Sequence, residues 1–421
     1  MTHAVRSMSR RPVAACAALL GLAAAWPCHA AGPEFGGQVR PEWVQQQANT
    51  AGPLAQADAV QPGTVALPAS GAAIEAELRA SGYGLTGIAT LRAHKLEGSA
   101  TENKAWVNEL YGSADLAGWQ LSAGKRIVAW DVGYGFRPND VVQQERRRTL
   151  LSLTPEGRPL VMAEHFDAST AWALVLVNPT NPSSERGAEE PALAVRVYRR
   201  DGAVDWHGFA RLGAHTGASL GAAAAWVASD AVELHASARY LTRADTLASD
   251  AAPAALLRVS PWVDASTGHT AQVMAGGTWT NAEQISLLAE AWWDGTALSD
   301  AQWDAWNERN RALPSWVVKP VPPSAVAGNL AWQADAFKAS TNLRRTNLFA
   351  RLSWQHEKWQ PAVDVLFTPA DRGLVVTASL AWQGDRVRVD AGVRTYGGPS
   401  GAVLAQLPTT RIAFLAATLA F

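Results

Sequence analysis

Most of the chain from about residue 83 to its end consists of runs of about ten residues that alternate apolar with small or polar side chains. In residues 387–396, for example, valine and alanine alternate with arginine and aspartate. Period two places successive side chains on opposite faces of a strand, and such runs are typical of strands that cross a membrane as a barrel. No later segment is an apolar helix of the ~20 residues that span a bilayer. The pattern therefore predicts an all-β, transmembrane antiparallel β-barrel.

The carboxy-terminal run continues this alternation to the last residue. Leu415, Ala417, Leu419 and Phe421 are all apolar and share one face of the final strand. A final strand that ends in Phe resembles the assembly signal of outer-membrane barrel proteins in Gram-negative bacteria. The resemblance implies that the barrel-assembly machinery recognises these four residues and that the protein resides in the outer membrane.

Residues 1–30 have the charge and hydropathy order of a secretory signal peptide. Arg6, Arg10 and Arg11 precede an apolar run from 13 to 26, and small residues follow up to Ala30, the expected cleavage site. The apolar run is shorter than the ~20 residues of a membrane anchor. Both cysteines of the chain lie in this segment, so we expect neither a disulfide nor a thiolate metal site in the secreted protein. A formal net charge of −1 argues against a nucleic-acid partner.

Tryptophans are unusually frequent for a chain whose other apolar residues are mostly small, with 19 in all. Because indole rings favour the headgroup region of a bilayer, tryptophans near strand ends predict aromatic girdles at both rims of a barrel. The candidates are Trp119, Trp172, Trp279, Trp292, Trp293, Trp354, Trp359 and Trp382.

Loop lengths predict about sixteen strands, with fourteen to eighteen as the range, because a barrel whose two ends lie in the periplasm needs an even number. Short turns fall at one end and long loops at the other, at 131–157, 179–190, 244–268, 295–343 and 397–408. The predicted barrel covers residues 72–421, and residues 31–71 are predicted to be a flexible periplasmic lead. Two segments stay open: 326–338 alternates as a strand but breaks the even count, and 72–80 either extends the first strand or precedes it.

Within the loop 295–343, Ser299 and Gln302 have the spacing of a helix capping box, and Trp303 and Trp306 share one helical face. We expect a short amphipathic helix there, folded over or into the mouth of the barrel.

The segment 124–148 carries the most unusual combination of residues in the chain. It reads GKRIVAW, then GYGFRPND, then a stretch with Glu145 and three arginines. It resembles porin-like barrels in which an early strand ends GKR-x-x-x-W and is followed by a GYGFRPND loop. If the loop folds inward, as the constriction loops of porins do, its charged residues line the narrowest point, and opposed charges there select solutes. These candidates are Arg137, Asp140, Glu145, Arg146, Arg147 and Arg148.

Alternation places four further charged residues in the lumen: Arg126, Arg388, Asp390 and Arg394. Two alternatives stay open for these candidates. The loop arginines would face outward and pair with lipopolysaccharide phosphates, or the strand residues would form structural ion pairs within the barrel.

The pattern best predicts an outer-membrane porin-like channel for a small hydrophilic solute, monomeric or homotrimeric, embedded among outer-membrane lipid and lipopolysaccharide. The alternatives are a gated export channel with loop 295–343 as its lid, an outer-membrane enzyme, or a structural barrel. Residues 217–221 match the nucleophile pattern G-x-S-x-G, but they open a strand rather than a strand–turn–helix elbow, so we predict no catalytic residue. The histidines lack metal-pair spacing, and no metal or cofactor is predicted.

Overall fold

The computed structural model describes residues 32–144, 155–253, 255–317 and 321–421. These residues form one antiparallel sheet of eighteen strands in which each strand pairs with its neighbours in sequence. The first strand also pairs with the last, from Gln38 against Ala420 to Ala48 against Thr409, so the sheet closes into a barrel. Within the described part of the chain, closure gives every strand a partner on both sides. The predicted fold class is confirmed, and the strand number lies at the upper limit of the predicted range.

The strands, in chain order, are β1 Glu34–Ala48, β2 Gly71–Gly82, β3 Leu85–Leu96, β4 Glu102–Leu116, β5 Trp119–Arg126, β6 Arg158–Phe166, β7 Thr170–Val177, β8 Ala192–Asp201, β9 Val204–Gly213, β10 Gly217–Ser229, β11 Val232–Ser249, β12 Trp262–Thr280, β13 Ile285–Asp294, β14 Thr346–Trp354, β15 Trp359–Thr368, β16 Gly373–Gln383, β17 Val387–Gly397 and β18 Thr409–Ala420. The α-helices of the described residues are α1 Pro53–Val60, α2 Asp300–Ala312 and α3 Pro323–Trp332. Short 3-10 turns lie at Gly187–Glu189, Leu313–Trp316, Gln333–Lys338 and Leu404–Gln406.

The expected flexible lead at residues 31–71 is wrong, because residues 34–48 form β1. The outward positions of β1 include Pro41, Trp43, Gln45 and Gln47. Because two of these outward residues are polar, β1 lacks the apolar–polar alternation that predicted the other strands. The segment 72–80 is part of β2, which precedes the first of the sixteen predicted strands. Strands β3 to β18 correspond to the sixteen predicted strands, and β1 and β2 account for the remaining two. The predicted loop 244–268 is too long, because β11 extends to Ser249 and pairs with a β12 that begins at Trp262.

The connections differ sharply between the two ends of the barrel. At one end, here called the turn end, short turns join the strands, and the last residue pairs with the start of β1 through Gly37 N–H to Phe421 O and Phe421 N–H to Gly37 O, both 3.0 Å. At the other, the loop end, the long connections are 49–70, 127–157, 178–191, 250–261, 295–345 and 398–408. This asymmetry is the one expected of a membrane barrel.

The outer surface of the barrel is apolar. Large apolar side chains at alternating strand positions stay exposed, such as Leu220 at 64 % and Leu110 at 59 %. Six of the predicted girdle tryptophans are exposed near strand ends: Trp119, Trp172, Trp279, Trp293, Trp354 and Trp359. Trp292 was wrongly assigned to a girdle. It is 6 % exposed and faces the interior, because adjacent residues of a strand point to opposite faces and Trp293 points outward.

Helices α1, α2 and α3 form a helical cap at the loop end. The predicted capping box is present, with Ser299 accepting from the Gln302 backbone, and Trp303 and Trp306 are buried on one face of α2. Segment 326–338, whose assignment the sequence left open, is part of α3 and the turn that follows it. A small core of Ala57, Leu313, Val326 and Leu330 joins α1 to α3. Among the described residues, no helix has the length and apolar character needed to cross a bilayer.

Candidate pore constriction

Residues 127–144 leave the barrel wall after β5 and pack inside the barrel; we call them the inward loop. The Ile127 N–H donates to the Glu109 carboxylate at 2.7 Å instead of continuing the ladder with β4. Its place beside β4 is taken by Gly157, whose N–H donates to Asn108 O at 2.8 Å. Asn108 is the bulged residue where the β3–β4 register shifts. Where the chain departs inward beside this bulge, the Ile127 N–H and the Asn108 carbonyl therefore both keep a hydrogen-bond partner.

Apolar packing fixes the inward loop to the wall. Val128, Val141 and Val142 are at most 5 % exposed and pack on an apolar patch of the inner wall formed by β6–β10. The patch includes Leu160, Met162, Val175, Val177 and Phe209. Burying each valine stabilises the docked loop by about 1.5–3 kcal/mol as an upper estimate. The loop is therefore a fixed part of the interior.

A polar network holds the middle of the inward loop against β10 and β11. Asn139 is fully buried, and its side-chain amide donates to Ser237 Oγ at 2.9 Å and Ala238 O at 3.0 Å. The Asp131 carboxylate accepts from Ser237 Oγ at 2.9 Å and from the Asn139 N–H at 2.5 Å. Burial raises the pKa of Asp131 in spite of these hydrogen bonds. A Cβ on Gly221 of β10 would lie 1.7 Å from Asn139 Oδ1, so glycine there makes room for the loop.

The tip of the inward loop is bound by a carboxylate of β13. Glu290 is 3 % exposed and accepts the Tyr134 and Gly135 N–H groups, both at 2.6 Å. His235 of β11 donates to the same carboxylate at 2.9 Å. The Gly133–Gly135 segment of the GYGFRPND motif is therefore where the loop backbone binds a carboxylate of the wall.

A buried ion pair joins the inward loop to the neighbouring loop 178–191. Arg211 of β9 donates to Val141 O at 2.7 Å and to the Glu190 carboxylate at 2.9 Å. Glu190 also accepts the N–H groups of His215 and Thr216 at 2.9 Å and the Thr216 hydroxyl at 2.5 Å. Burial alone would raise the pKa of Glu190, but the hydrogen bonds from Thr216 and Arg211 together lower it below its usual value.

Arg239 of β11 lies beside the inward loop, and its hydrogen bonds go to uncharged oxygen atoms. It donates to Ser219 Oγ at 2.9 and 3.1 Å and to Pro138 O at 3.2 Å. Within the described ranges, no carboxylate lies within 4.0 Å of its guanidinium, although the residue is 8 % exposed. Ser219, the serine of the G-x-S-x-G match, thus lies inside strand β10 and serves as an acceptor for this arginine.

A cavity of about 220 Å³ lies between the inward loop and the connections of the loop end. Its lining includes Arg137 and Asp140 of the inward loop, Arg239 and Asp245 of β11, and Ser340 and Thr341 near the helical cap. Both charge signs and several hydroxyls therefore face one small space, as expected for a site that takes a polar solute.

Charges elsewhere on the inner wall are mostly paired. On β1–β3, Arg40 lies 3.2 Å from Glu75, Arg79 lies 2.6 Å from Glu77, and Arg92 contacts Glu42. Arg126 lies 3.1 Å from Glu164, and Arg388 lies 2.8 Å from Asp390 on its own strand. Arg394 donates to Thr377 at 2.8 Å. The predicted lumen residues Arg126, Arg388, Asp390 and Arg394 therefore each make an ion pair or a hydrogen bond within the barrel. This is the arrangement expected if they stabilise the barrel wall.

The structure brings together two of the predicted constriction residues, Arg137 and Asp140, which line the cavity. Residues 145–148, predicted for the same site, lie outside the described residues. The predicted assembly positions face outward, with Leu415, Leu419 and Phe421 exposed at 48, 49 and 62 % and Ala417 partly exposed. Sequence reasoning missed Asn139, Glu190, Arg211, Arg239 and Glu290 as parts of the site.

No protein-family model matches the sequence, and no curated protein matches it. Solved outer-membrane porins share the fold. OccAB1 of Acinetobacter baumannii has a TM-score of 0.54 and 8 % identity, over 92 % of this chain and 96 % of that chain. OpdK of Pseudomonas aeruginosa, solved with vanillate, has a TM-score of 0.54 and 7 % identity, over 93 % and 98 %. OccD3 (OpdP) of the same organism has a TM-score of 0.51 and 8 % identity, over 93 % of this chain and 91 % of that chain. The predicted porin-like barrel fold is confirmed.

Proposed function

We propose that this protein is an outer-membrane channel that passes a small hydrophilic solute by diffusion, with the inward loop as its constriction. The observation that carries the proposal is the fixed attachment of residues 127–144 to the inner wall by valines, Asn139 and Glu290. A loop held inside a barrel narrows the lumen and brings its charges close to any solute that passes. The apolar outer surface and the porin fold of the neighbours support the same conclusion.

Within this proposal, the cavity beside Arg239 is where the solute pauses. No carboxylate of the described residues lies within 4.0 Å of the Arg239 guanidinium, and a buried guanidinium without such a partner is costly. An anionic group on the solute would supply a charged acceptor for it. Asp140 and Asp245 in the same lining restrict the site to solutes that tolerate nearby negative charge. The vanillate named with OpdK is itself a carboxylate. We therefore propose a small solute that carries an anionic group together with hydroxyl or cationic groups.

The remaining parts of the proposal concern delivery and assembly. Residues 1–30 would direct secretion and be removed, and Leu415, Ala417, Leu419 and Phe421 would be read by the barrel-assembly machinery. The outward apolar face would contact outer-membrane lipid and lipopolysaccharide, with the protein as a monomer or homotrimer. We propose no catalytic activity, no cofactor and no metal.

The test is single-channel conductance and ion selectivity of the refolded protein in planar bilayers. We expect steady openings, with an anion preference that falls in R239Q and recovers in R239K, which keeps the charge. R388Q is the matched control, because Arg388 is an exposed lumen arginine already paired with Asp390. Its effect on selectivity should be smaller.

Each other outcome removes a defined part of the proposal. Openings whose selectivity is the same in R239Q as in the unmodified protein would keep the channel and reject the solute site. A folded barrel that never conducts would reject the diffusion channel. Conductance that appears only after the helical cap is removed would favour the gated export channel over it.

A further inference from the structure

The contact between Glu290 and the tip of the inward loop is more specific than docking requires. One carboxylate accepts two consecutive backbone N–H groups, those of Tyr134 and Gly135, at 2.6 Å each. Consecutive N–H groups form a concave anion site, and hydrogen bonds to a charged acceptor are about twice as strong as neutral ones. A glutamine cannot replace this contact, because its amide nitrogen donates and only its oxygen accepts.

The barrel wall orients the Glu290 carboxylate toward the tip. His235 reaches it from β11 across the intervening strand β12, with its Nε2 2.9 Å from the carboxylate. The crossing is open because β12 carries Gly276 at this point. A Cβ there would lie 2.6 Å from Glu290 Cγ and 2.9 Å from His235 Nε2. Three adjacent strands are thus arranged around one carboxylate.

The backbone bound by Glu290 carries an exposed aromatic ring. Tyr134 is 49 % exposed inside the barrel, and its ring stacks on Phe349 of β14 with 5.9 Å between centroids. On the other side of Gly135, Phe136 is buried against Trp292. The valines and Asn139 hold the rest of the loop independently of this contact. Loss of the Glu290 contact should therefore loosen the backbone of Tyr134 and Gly135, while Phe136 and the rest of the loop stay packed on the wall.

We propose that Glu290 is a positioning residue that fixes the Tyr134 ring in the lumen and thereby sets the aperture of the channel. The inference rests on the proposed function for its consequence, but its structural part is measurable without conduction. His235 orients the Glu290 carboxylate, and Gly276 makes their contact across β12 sterically possible.

The first measurement is hydrogen exchange of the loop-tip amides in the refolded barrel, comparing the unmodified protein with E290Q. Exchange at Tyr134 and Gly135 should accelerate roughly tenfold or more, the equivalent of about 1.4 kcal/mol. The matched control is D294N, on the same inward face of β13. Asp294 is fully buried and accepts from Gln272, Thr296 and Asn342 rather than from the inward loop. D294N should leave the tip amides protected.

The second measurement is single-channel conductance and open-channel noise in E290Q, Y134A and the double variant. E290Q should increase the noise and shift the conductance. In the Y134A background the same substitution should change the current much less, because the ring that moves is gone. A merely structural role for Glu290 would lower stability without this dependence on Tyr134.

The outcomes separate the two claims. Accelerated exchange in E290Q in a barrel that never conducts would support the positioning role and reject the channel. Normal conduction with tip exchange unchanged by E290Q would reject the positioning role and leave the channel intact. Equal acceleration in E290Q and D294N would also overturn the inference, since it would show general loosening of β13.

Discussion

Replacing Glu190 with glutamine should destabilise the loop end by an amount that depends on pH. The change keeps the shape of the side chain and removes its charge. Glu190 and Arg211 are at most 1 % exposed at the side chain, so the arginine would keep a buried charge without its partner. Breaking a buried pair in this way costs about 3–5 kcal/mol. The glutamine oxygen still accepts some of the N–H groups of His215 and Thr216, so we expect about 3 kcal/mol, the lower end of that range.

The sign of the pH dependence follows from the lowered pKa of Glu190. A carboxyl whose pKa is lower in the folded than in the unfolded protein stabilises the fold fully above the unfolded pKa, and this stabilisation is lost as the pH falls through the folded pKa. Glutamine does not titrate. The difference in unfolding free energy between the two proteins should therefore be constant from neutral pH down to about 4.5 and shrink below it.

Urea unfolding in detergent micelles, followed by tryptophan fluorescence at a series of pH values, measures this difference. E189Q is the control. The neighbouring Glu189 pairs with Arg158, but its side chain is 55 % exposed. An exposed pair contributes about 0–1 kcal/mol, so E189Q should shift the midpoint little. Equal midpoints for E190Q and the unmodified protein at neutral pH would refute the reasoning, as would a difference that grows as the pH falls below 4.5.

Three further predictions test the wall, the loop and the final strand. G221A should displace Asn139 and loosen the inward loop, seen as faster amide exchange at Asn139, whereas G208A on β9, where an added Cβ meets nothing within 4 Å, should not. A236R places a charge on the exposed outer face of β11 and should lower folding stability in lipid vesicles by about 2–4 kcal/mol if it lies near the bilayer midplane. A236L should fold normally, and equal folding of both would contradict the outward assignment. F421A should refold in detergent but reach the outer membrane of cells in smaller amounts than F35A, which changes an exposed ring at the same end of the barrel; equal amounts would refute the assembly role.

Alternation was sufficient to locate β3 to β18, because their outward positions are mostly apolar. It ended β11 too early and began β12 too late, where outward Thr267 and His269 interrupt the apolar face. It failed for β1, where glutamines at 45 and 47 occupy outward positions near the loop end. Pro41 also argued against a strand, since a proline cannot donate to a sheet ladder. The pairing of β1 with both β2 and β18 overrides this local preference. The pairing with β18 joins opposite ends of the chain, so no local sequence pattern indicates it.

The candidate site was predicted only where its residues are adjacent in sequence. Arg137 and Asp140 stand out in a charged loop, but their supports come from distant strands. Asn139 and Ser237 are 98 positions apart, and Tyr134 and Glu290 are 156 apart. No periodic pattern links such pairs. The available local signal was glycine within strands, at 221 and in the pair 276–277, because a glycine in a strand interior often marks a close approach.

A second sequence signal explains where the inward loop docks. A strand between lipid and a water-filled lumen should be apolar on one face only. Residues 173–177 of β7 are apolar on both, and so are 160–163 of β6. Leu174 and Leu176 are exposed on the outside, whereas Val175 and Val177 are fully buried inside, under Val128, Val141 and Val142. A barrel strand that is apolar on both faces therefore indicates wall that protein rather than water covers from within. By this reasoning, a polar replacement at Val175 should release the loop while the same replacement at exposed Leu174 should instead weaken contact with lipid.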